Sequence, residues 1–172
     1  KAWYDPALSA ILYLCHSSVQ AAKEQVPLVW FASDAPVESW CCDRDRFTGN
    51  YRSERNPIAV ERGDCQNIDL PHGEPCAALQ TRVALQGRES KTIHFFLGAQ
   101  GNGLAAFEQA RRETAEAAEK LRRPGEAQRQ YDRLNRWWET RFAAYQCTLP
   151  DWVLENQINT WSPVNSVDTY RY

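Results

Sequence analysis

Methionine is absent from this 172-residue chain, which opens at Lys1. Translated chains ordinarily start with Met and carry several more, so the expectation is a piece of a longer polypeptide. The last residues, Asp168-Thr169-Tyr170-Arg171-Tyr172, bring no capping glycine, polar tail or proline stop, and a helical pattern runs into them. Long apolar runs are missing too. None approaches the ~18 residues that cross a bilayer, and the start has no charged-then-apolar leader layout, so no membrane partner is expected. An excess of one charge is also lacking: the formal net charge is −2, which argues against nucleic acid as a partner. The late arginines (Arg111, Arg112, Arg122, Arg123, Arg129, Arg133, Arg136 and Arg141) alternate with Glu and Asp at helical spacing. That pattern reads as a solvated, ion-paired helix face. Cys15, Cys41, Cys42, Cys65, Cys76 and Cys147 do not fit C-x2-C zinc spacing. With ample apolar content to build a core, they read as reduced, mostly buried thiols of a cytoplasmic protein, with no metal site.

What is present falls into two regimes. The first part reads as β. Ser9–His16 and Val26–Ser33 are apolar runs of strand length, the second with Pro27 near its start, where a missing N–H is tolerable. Between them, residues 17–25 read as a loop or a single helical turn. Residues 37–47 suit a short helix or an ordered loop. Pro57–Glu61 fits one helical turn opened by proline, and residues 63–75 are loop-like. Residues 76–86 alternate as a half-buried strand. Gly87-Arg88 then turns, and Lys91–Leu97 is expected back as its hairpin partner. The glycines Gly98, Gly101 and Gly103 precede a helix without G-x-G-x-x-G spacing, and read as a hinge at a domain edge.

From Leu104 the period becomes helical. Leu104, Phe107, Ala110, Thr114, Ala117, Ala118 and Leu121 share one stripe, broken by Pro124-Gly125. A second helix spans residues 126–144 with a wide aromatic face that includes Trp137, Trp138 and Phe142. A third starts after Pro150 with Asp151 as N-cap, and Pro163 is expected to end or kink it near Ser162. Strands first and helices after, with no βαβ alternation, predict an α+β chain made of two different folding units.

One stretch carries family information. Asp43-Arg44-Asp45-Arg46 precedes Phe47-Thr48-Gly49-Asn50-Tyr51-Arg52-Ser53, and Asn56-Pro57-Ile58-Ala59-Val60-Glu61 follows. This Phe-x-Gly-x-Tyr-Arg-Ser core resembles a motif of the inverting disaccharide phosphorylases of glycoside hydrolase family 94. Asn156-Gln157-Ile158-Asn159-Thr160-Trp161 is similar to the helix that opens their barrel. The resemblance implies an antiparallel β-sandwich portion, then linker helices and the first helix of an (α/α)6 barrel. Residues 1–98 would be the end of the sandwich, 99–149 the linker and 150–172 the start of the barrel. It also implies an enzyme of glycosyltransferase type. A barrel aspartate acts as general acid, and inorganic phosphate as co-substrate attacks a β-linked glucosyl disaccharide or oligosaccharide, giving an α-sugar 1-phosphate. No further cofactor is implied. The implied partners are that sugar, phosphate, the remainder of the same chain and, since family members are commonly homodimers, a second copy.

The resemblance implies that the motif belongs to the family's non-catalytic β-domain, so no catalytic residue is assigned. Arg171 is the single substrate-binding candidate, lying nearest to where the site would begin; a structural ion pair competes with a sugar contact there. Asp43, Asp45, Glu61, Arg44, Arg46, Arg52 and Arg55 read as ion pairs that tether the Phe47–Arg55 loop to the barrel face. His94 reads as a hydrogen-bonded structural histidine, and His72 is isolated. Trp137 and Trp138 read as core in preference to a sugar-stacking platform, and Asp132, Glu139 and Glu155 as surface charges. The competing functions are a carbohydrate-binding or structural β-module without catalysis and a phosphorylase domain of the cyclic β-1,2-glucan synthase type. The chain by itself is expected to be inactive and poorly soluble, because a lone barrel helix leaves its apolar face bare.

Overall fold

A computed structural model describes residues 1–15 and 26–169. They form two compact units, divided between Arg123 and Pro124. His16 and the 17–25 segment lie outside the described residues.

The first unit is built on a four-stranded antiparallel sheet in the order β1 (Ala2–Asp5), β2 (Ala10–Tyr13), β3 (Leu28–Ser33) and β6 (Phe95–Gln100). Alternation gives this sheet two faces. Ala10, Leu12, Leu28, Trp30 and Ala32 are all buried on one of them. Helix α3 (Phe107–Arg122) packs there, sinking Ala110, Thr114 and Ala118 out of solvent, three positions of the expected stripe. Small residues at those positions let the helix come close to the strands. Trp3 of β1 meets Phe107 at 5.9 Å between ring centroids.

The opposite face carries Ile11, Tyr13 and Phe31 and meets a second, two-stranded sheet of β4 (Val37–Asp43) and β5 (Pro75–Thr81). Tyr4 stacks on Trp40 at 4.1 Å across this layer, and Cys42 and Leu70 are buried in it. The loop-like segment before β5 stitches the sheets together. Leu70 exchanges both backbone hydrogen bonds with Ala2, at 2.7 and 2.8 Å, while Cys42 N–H donates to Ile68 O at 2.8 Å. The sandwich-like β region followed by helices agrees with the α+β class.

Two expectations are corrected. Residues 37–43 form a strand where a helix or loop was expected. Alternation is disguised there because the inward position is a polar serine: Ser39 is buried, accepts from Cys65 N–H and bonds Gln80. The expected hairpin of residues 76–86 with 91–97 does not form. β5 stops at Thr81 and pairs with β4, while β6 pairs with β3 in the other sheet. That register is set by contacts remote in sequence. Asp34 receives the His94 backbone N–H at 2.9 Å and its ring Nδ1 at 2.6 Å, where the β3–β6 ladder begins. Gly98 sits opposite Trp30, and a Cβ at Gly98 would lie 2.5 Å from the indole. Gly98→Ala is therefore expected to cost about 1–3 kcal/mol through overpacking, read as a lower urea midpoint at unchanged slope. A wild-type midpoint would contradict this register.

The second unit contains α4 (Glu126–Phe142), α5 (Trp152–Asn156), a π-helical turn (Gln157–Trp161) and α6 (Ser162–Thr169). Asp151 caps α5 as the sequence predicts, accepting from Val153 N–H at 2.9 Å and Leu154 N–H at 3.3 Å. Pro163 does not end the helix, which runs on to Thr169; the departure from α geometry falls in the turn before Ser162. The widened turn just before it absorbs the missing donor, and Ser162 Oγ bonds Gln157 O at 2.9 Å. Asn159 clips the preceding strap to this helix, accepting from Cys147 N–H at 3.0 Å and donating to Cys147 O at 2.7 Å. Glu155, expected as a surface charge, is half-buried and accepts from Leu149 N–H at 2.8 Å. Trp152, Val153, Leu154 and Trp161 are exposed.

Candidate functional site

The motif stretch folds as a compact polar loop at the end of β4. Asp43 caps the short helix α1 (Arg44–Thr48), accepting from Arg46 N–H at 3.1 Å. Gly49 ends it at φ 87°, where a Cβ would also press to 2.9 Å on Ile58, so glycine suits this position on two counts. Ser53 N–H and Oγ both bond Asn56 Oδ1, at 3.1 and 3.2 Å, fixing a turn that leads into α2 (Ile58–Arg62).

Ion pairs close the loop. Arg44 reaches Glu54 at 3.0 Å, and Arg52 bonds Glu61 on α2 as well as Asn56 O. The hydrogen bond and charge of Arg52 hold the Glu61 carboxyl below the ordinary glutamate value of 4.5. A carboxylate depressed in the folded state stabilises above its unfolded pKa, and that contribution is lost as pH falls through the folded value. Because the pair is exposed, it is also screened by salt. Glu61→Gln is therefore expected to lower loop stability slightly at pH 7 in low salt, progressively less as pH falls below the ordinary glutamate value and through the depressed folded one, and not at all in ~1 M salt. Hydrogen exchange at residues 49–56 reads this out, and a pH-independent effect would remove Arg52–Glu61 as the cause.

A polar cleft of about 460 Å³ opens among Arg44, Asp45, Thr48, Arg52, Ser53 and Arg55. Both Arg44 and Arg52 already hold carboxylates, so the arrangement positions the loop; it presents no acid–base pair. Both pairs close the loop on itself, so neither is the expected tether to a barrel face. Tyr51, at φ 59°, stands fully exposed above it. Neither this exposure nor the buried, unpartnered Thr48 Oγ1 has a signal in the sequence pattern.

The other candidates separate. His94 is the hydrogen-bonded structural histidine expected. Trp137 and Trp138 make a T-shaped pair at 4.7 Å, and Arg141 lies 3.1 Å over the Trp137 ring. They are half-buried where core was expected, and Arg141 covers one face of Trp137, which a stacked sugar would need. Asp132 accepts from Gln128 at 2.7 Å. Gly98 and Gly103 serve close packing in place of a hinge; Gly103 N–H donates to Val26 O at 2.7 Å. Arg171 lies outside the described residues. Among the described residues no group of three or more His, Cys, Asp or Glu side chains could hold a metal ion, and no helix is long and apolar enough to cross a membrane.

Against this geometry, residues 2–124 match the glycosyl hydrolase 94 supersandwich domain. The chain belongs to glycosyl hydrolase family 94. The matched region coincides with the first compact unit and includes α3. Among curated proteins, the chain is 31% identical over 134 residues to an N,N'-diacetylchitobiose phosphorylase of Vibrio proteolyticus, covering 77% of this chain and 15% of that protein. It is 32% identical over 131 residues to the enzyme of the same name from Vibrio furnissii, covering 73% and 14%. A 3-O-beta-D-glucopyranosyl-beta-D-glucuronide phosphorylase of Paenibacillus borealis is 26% identical over 108 residues, covering 63% and 14%. The aligned part of the chain thus spans about one seventh of these relatives' length.

Proposed function

We propose that this family 94 chain is part of an inverting glycoside phosphorylase. The enzyme cleaves a β-linked glucosyl disaccharide or oligosaccharide with inorganic phosphate and releases an α-sugar 1-phosphate. The observation that supports this is the supersandwich match over residues 2–124, together with relatives that are all named phosphorylases. In the proposed reaction an aspartic acid protonates the glycosidic oxygen while phosphate attacks the anomeric carbon from the opposite face. Phosphate replaces the water of an inverting hydrolase, so no second carboxylate is needed as base. Neither the acid nor the phosphate ligands are assigned to residues of this chain.

In this reading residues 99–149 are the helical linker and residues 150–172 open an (α/α)6 barrel. Arg171 is a sugar contact at its rim. The exposed apolar residues Trp152, Val153, Leu154 and Trp161 support the assignment, since a barrel helix needs a partner for such a face. The proposed whole protein is cytoplasmic and homodimeric and uses phosphate without another cofactor.

A second reading concerns the sugar. The two Vibrio relatives are named for N,N'-diacetylchitobiose, which favours an N-acetylglucosaminyl donor. The test is phosphorolysis by the complete natural protein, followed by ³¹P NMR with cellobiose, laminaribiose and N,N'-diacetylchitobiose in parallel. An α-glucose 1-phosphate signal supports the first reading, and product from diacetylchitobiose alone supports the second. A folded protein that forms no sugar 1-phosphate from any β-disaccharide would leave the non-catalytic carbohydrate-binding module as the better account.

A further inference from the structure

Two thiols are neighbours across the β4–β5 ladder. In a regular antiparallel pair Cys41 and Cys76 would be diagonal neighbours, about 7–8 Å apart, beyond the comfortable span of a disulfide. The ladder is not regular there. Cys41 pairs with Ala78 and Asp43 with Pro75, so Cys42 alone faces both Cys76 and Ala77. This bulge draws Cys76 toward Cys41. Cys76 Sγ donates to Cys41 O at 3.4 Å, which places the Cys76 thiol against the Cys41 backbone. Cys41 Sγ is held from the other side, 3.2 Å from Asp43 O.

We propose that Cys41 and Cys76 form a redox-responsive dithiol that closes to a cross-strand disulfide when the protein meets hydrogen peroxide. One thiolate is available near neutral pH. The bond from Cys76 brings Cys41 down to about 7, and the same bond with burial pushes the Cys76 thiol well up. Cys41 is 1% exposed, but Cys76 is only half-buried and lines an apolar cavity of about 200 Å³ between the sheets, so a small oxidant reaches the pair from the Cys76 side. In the first step the thiolate attacks a peroxide oxygen, the O–O bond breaks, and a sulfenic acid and hydroxide form; the hydroxide takes up the proton that the thiol had released and becomes the first water. In the second the neighbouring thiol attacks that sulfur, and its proton leaves with the hydroxyl as a second water. The two sulfurs lose two electrons in total and peroxide gains them.

The pair is selective within its own neighbourhood. Burial pushes the Cys42 thiol up to about 12, and burial also raises Cys65, which faces Ser39. Both stay protonated and unreactive at neutral pH. The closed bond would fasten β5 to β4 and bridge 35 positions of chain.

The experiment uses the complete natural protein with Cys15→Ser, which removes the exposed thiol of this segment and its intermolecular side reactions. After peroxide at pH 7.5, free thiols are alkylated under denaturation and the protein is digested without reductant. The expected result is a loss of two alkylatable thiols, a mass lower by about 2 Da, and one cross-linked peptide that joins Cys41 to Cys76 and disappears with dithiothreitol. Cys76→Ser should abolish the cross-link and divert Cys41 to sulfenic or sulfinic acid. Cys76→Ala serves the same purpose should the serine variant fold poorly. Retention of all the thiols, or a cross-link that pairs Cys42 or Cys65 instead, would overturn the proposal.

Discussion

Replacing Trp30 with alanine is expected to remove about 3–5 kcal/mol of stability from the first unit, lowering its Tm by roughly 10–20 °C. Trp30 is 2% exposed and lies between β2, β6 and α3, with Gly98 hollowed out beneath it. Removing the indole leaves a cavity that Gly98 cannot fill, and loses the dispersion contacts of a whole buried indole. The indole N–H has no hydrogen-bond partner although it is buried. The loss is thus one of packing, and Trp30→Phe, which keeps most of the ring volume, should cost clearly less than Trp30→Ala. Urea denaturation followed by far-UV circular dichroism separates the two variants. Equal losses for Ala and Phe would mean that the indole nitrogen, not the ring volume, matters.

Arg122→Ala is expected to cost about 2–4 kcal/mol, the loss of two charge-assisted hydrogen bonds with their part-buried acceptors left bare. Arg122 Nε donates to Ser33 O at 3.0 Å and Nη2 to Ser9 O at 2.9 Å. One guanidinium thereby ties the last turn of α3 to the end of β3 and to the β1–β2 turn, where Ser9 is held at φ 48°. Burial pulls the Arg122 pKa below its ordinary value, yet arginine stays charged across the accessible range. Unlike the Arg52–Glu61 pair, this clamp should be insensitive to pH between 5 and 9 and nearly insensitive to salt. Arg122→Lys should recover less than half of the loss, since a single ammonium does not reproduce the fork. Hydrogen exchange at residues 118–122 and 9–11 would report local release. A substitution effect that vanishes in ~1 M salt would point to a surface ion pair instead. A parallel tie, Arg111 to Asp5 at 2.7 Å, anchors the other end of α3 to β1.

The family was legible because its evidence is local. The run Phe47–Ser53 and the turn Asn56–Glu61 are contiguous, and their residues do what their types dictate: Gly49 ends a helix, Asn56 fixes a turn, Pro57 precedes one helical turn. The same holds for the buried stripe of α3 and for Asp151 as a cap. Cross-strand choice was not legible. The strand at 91–97 looks like the natural return of the one before it, and only Trp30 over Gly98 and Asp34 against His94 move it to the other sheet. Strand β4 was hidden because Ser39 is polar and satisfied only by Cys65 and Gln80. The loop's ion pairs were legible as a class, but not their partners.

By itself, then, the sequence determined the periodicities, the caps and the family, since each rests on side chains within a few residues of one another. Tertiary structure alone decided which strands pair, that α3 belongs with the sheet through Arg111 and Arg122, and that a bulge brings Cys76 to Cys41. Those outcomes depend on shape and hydrogen-bond fit between residues tens of positions apart, which no local pattern encodes.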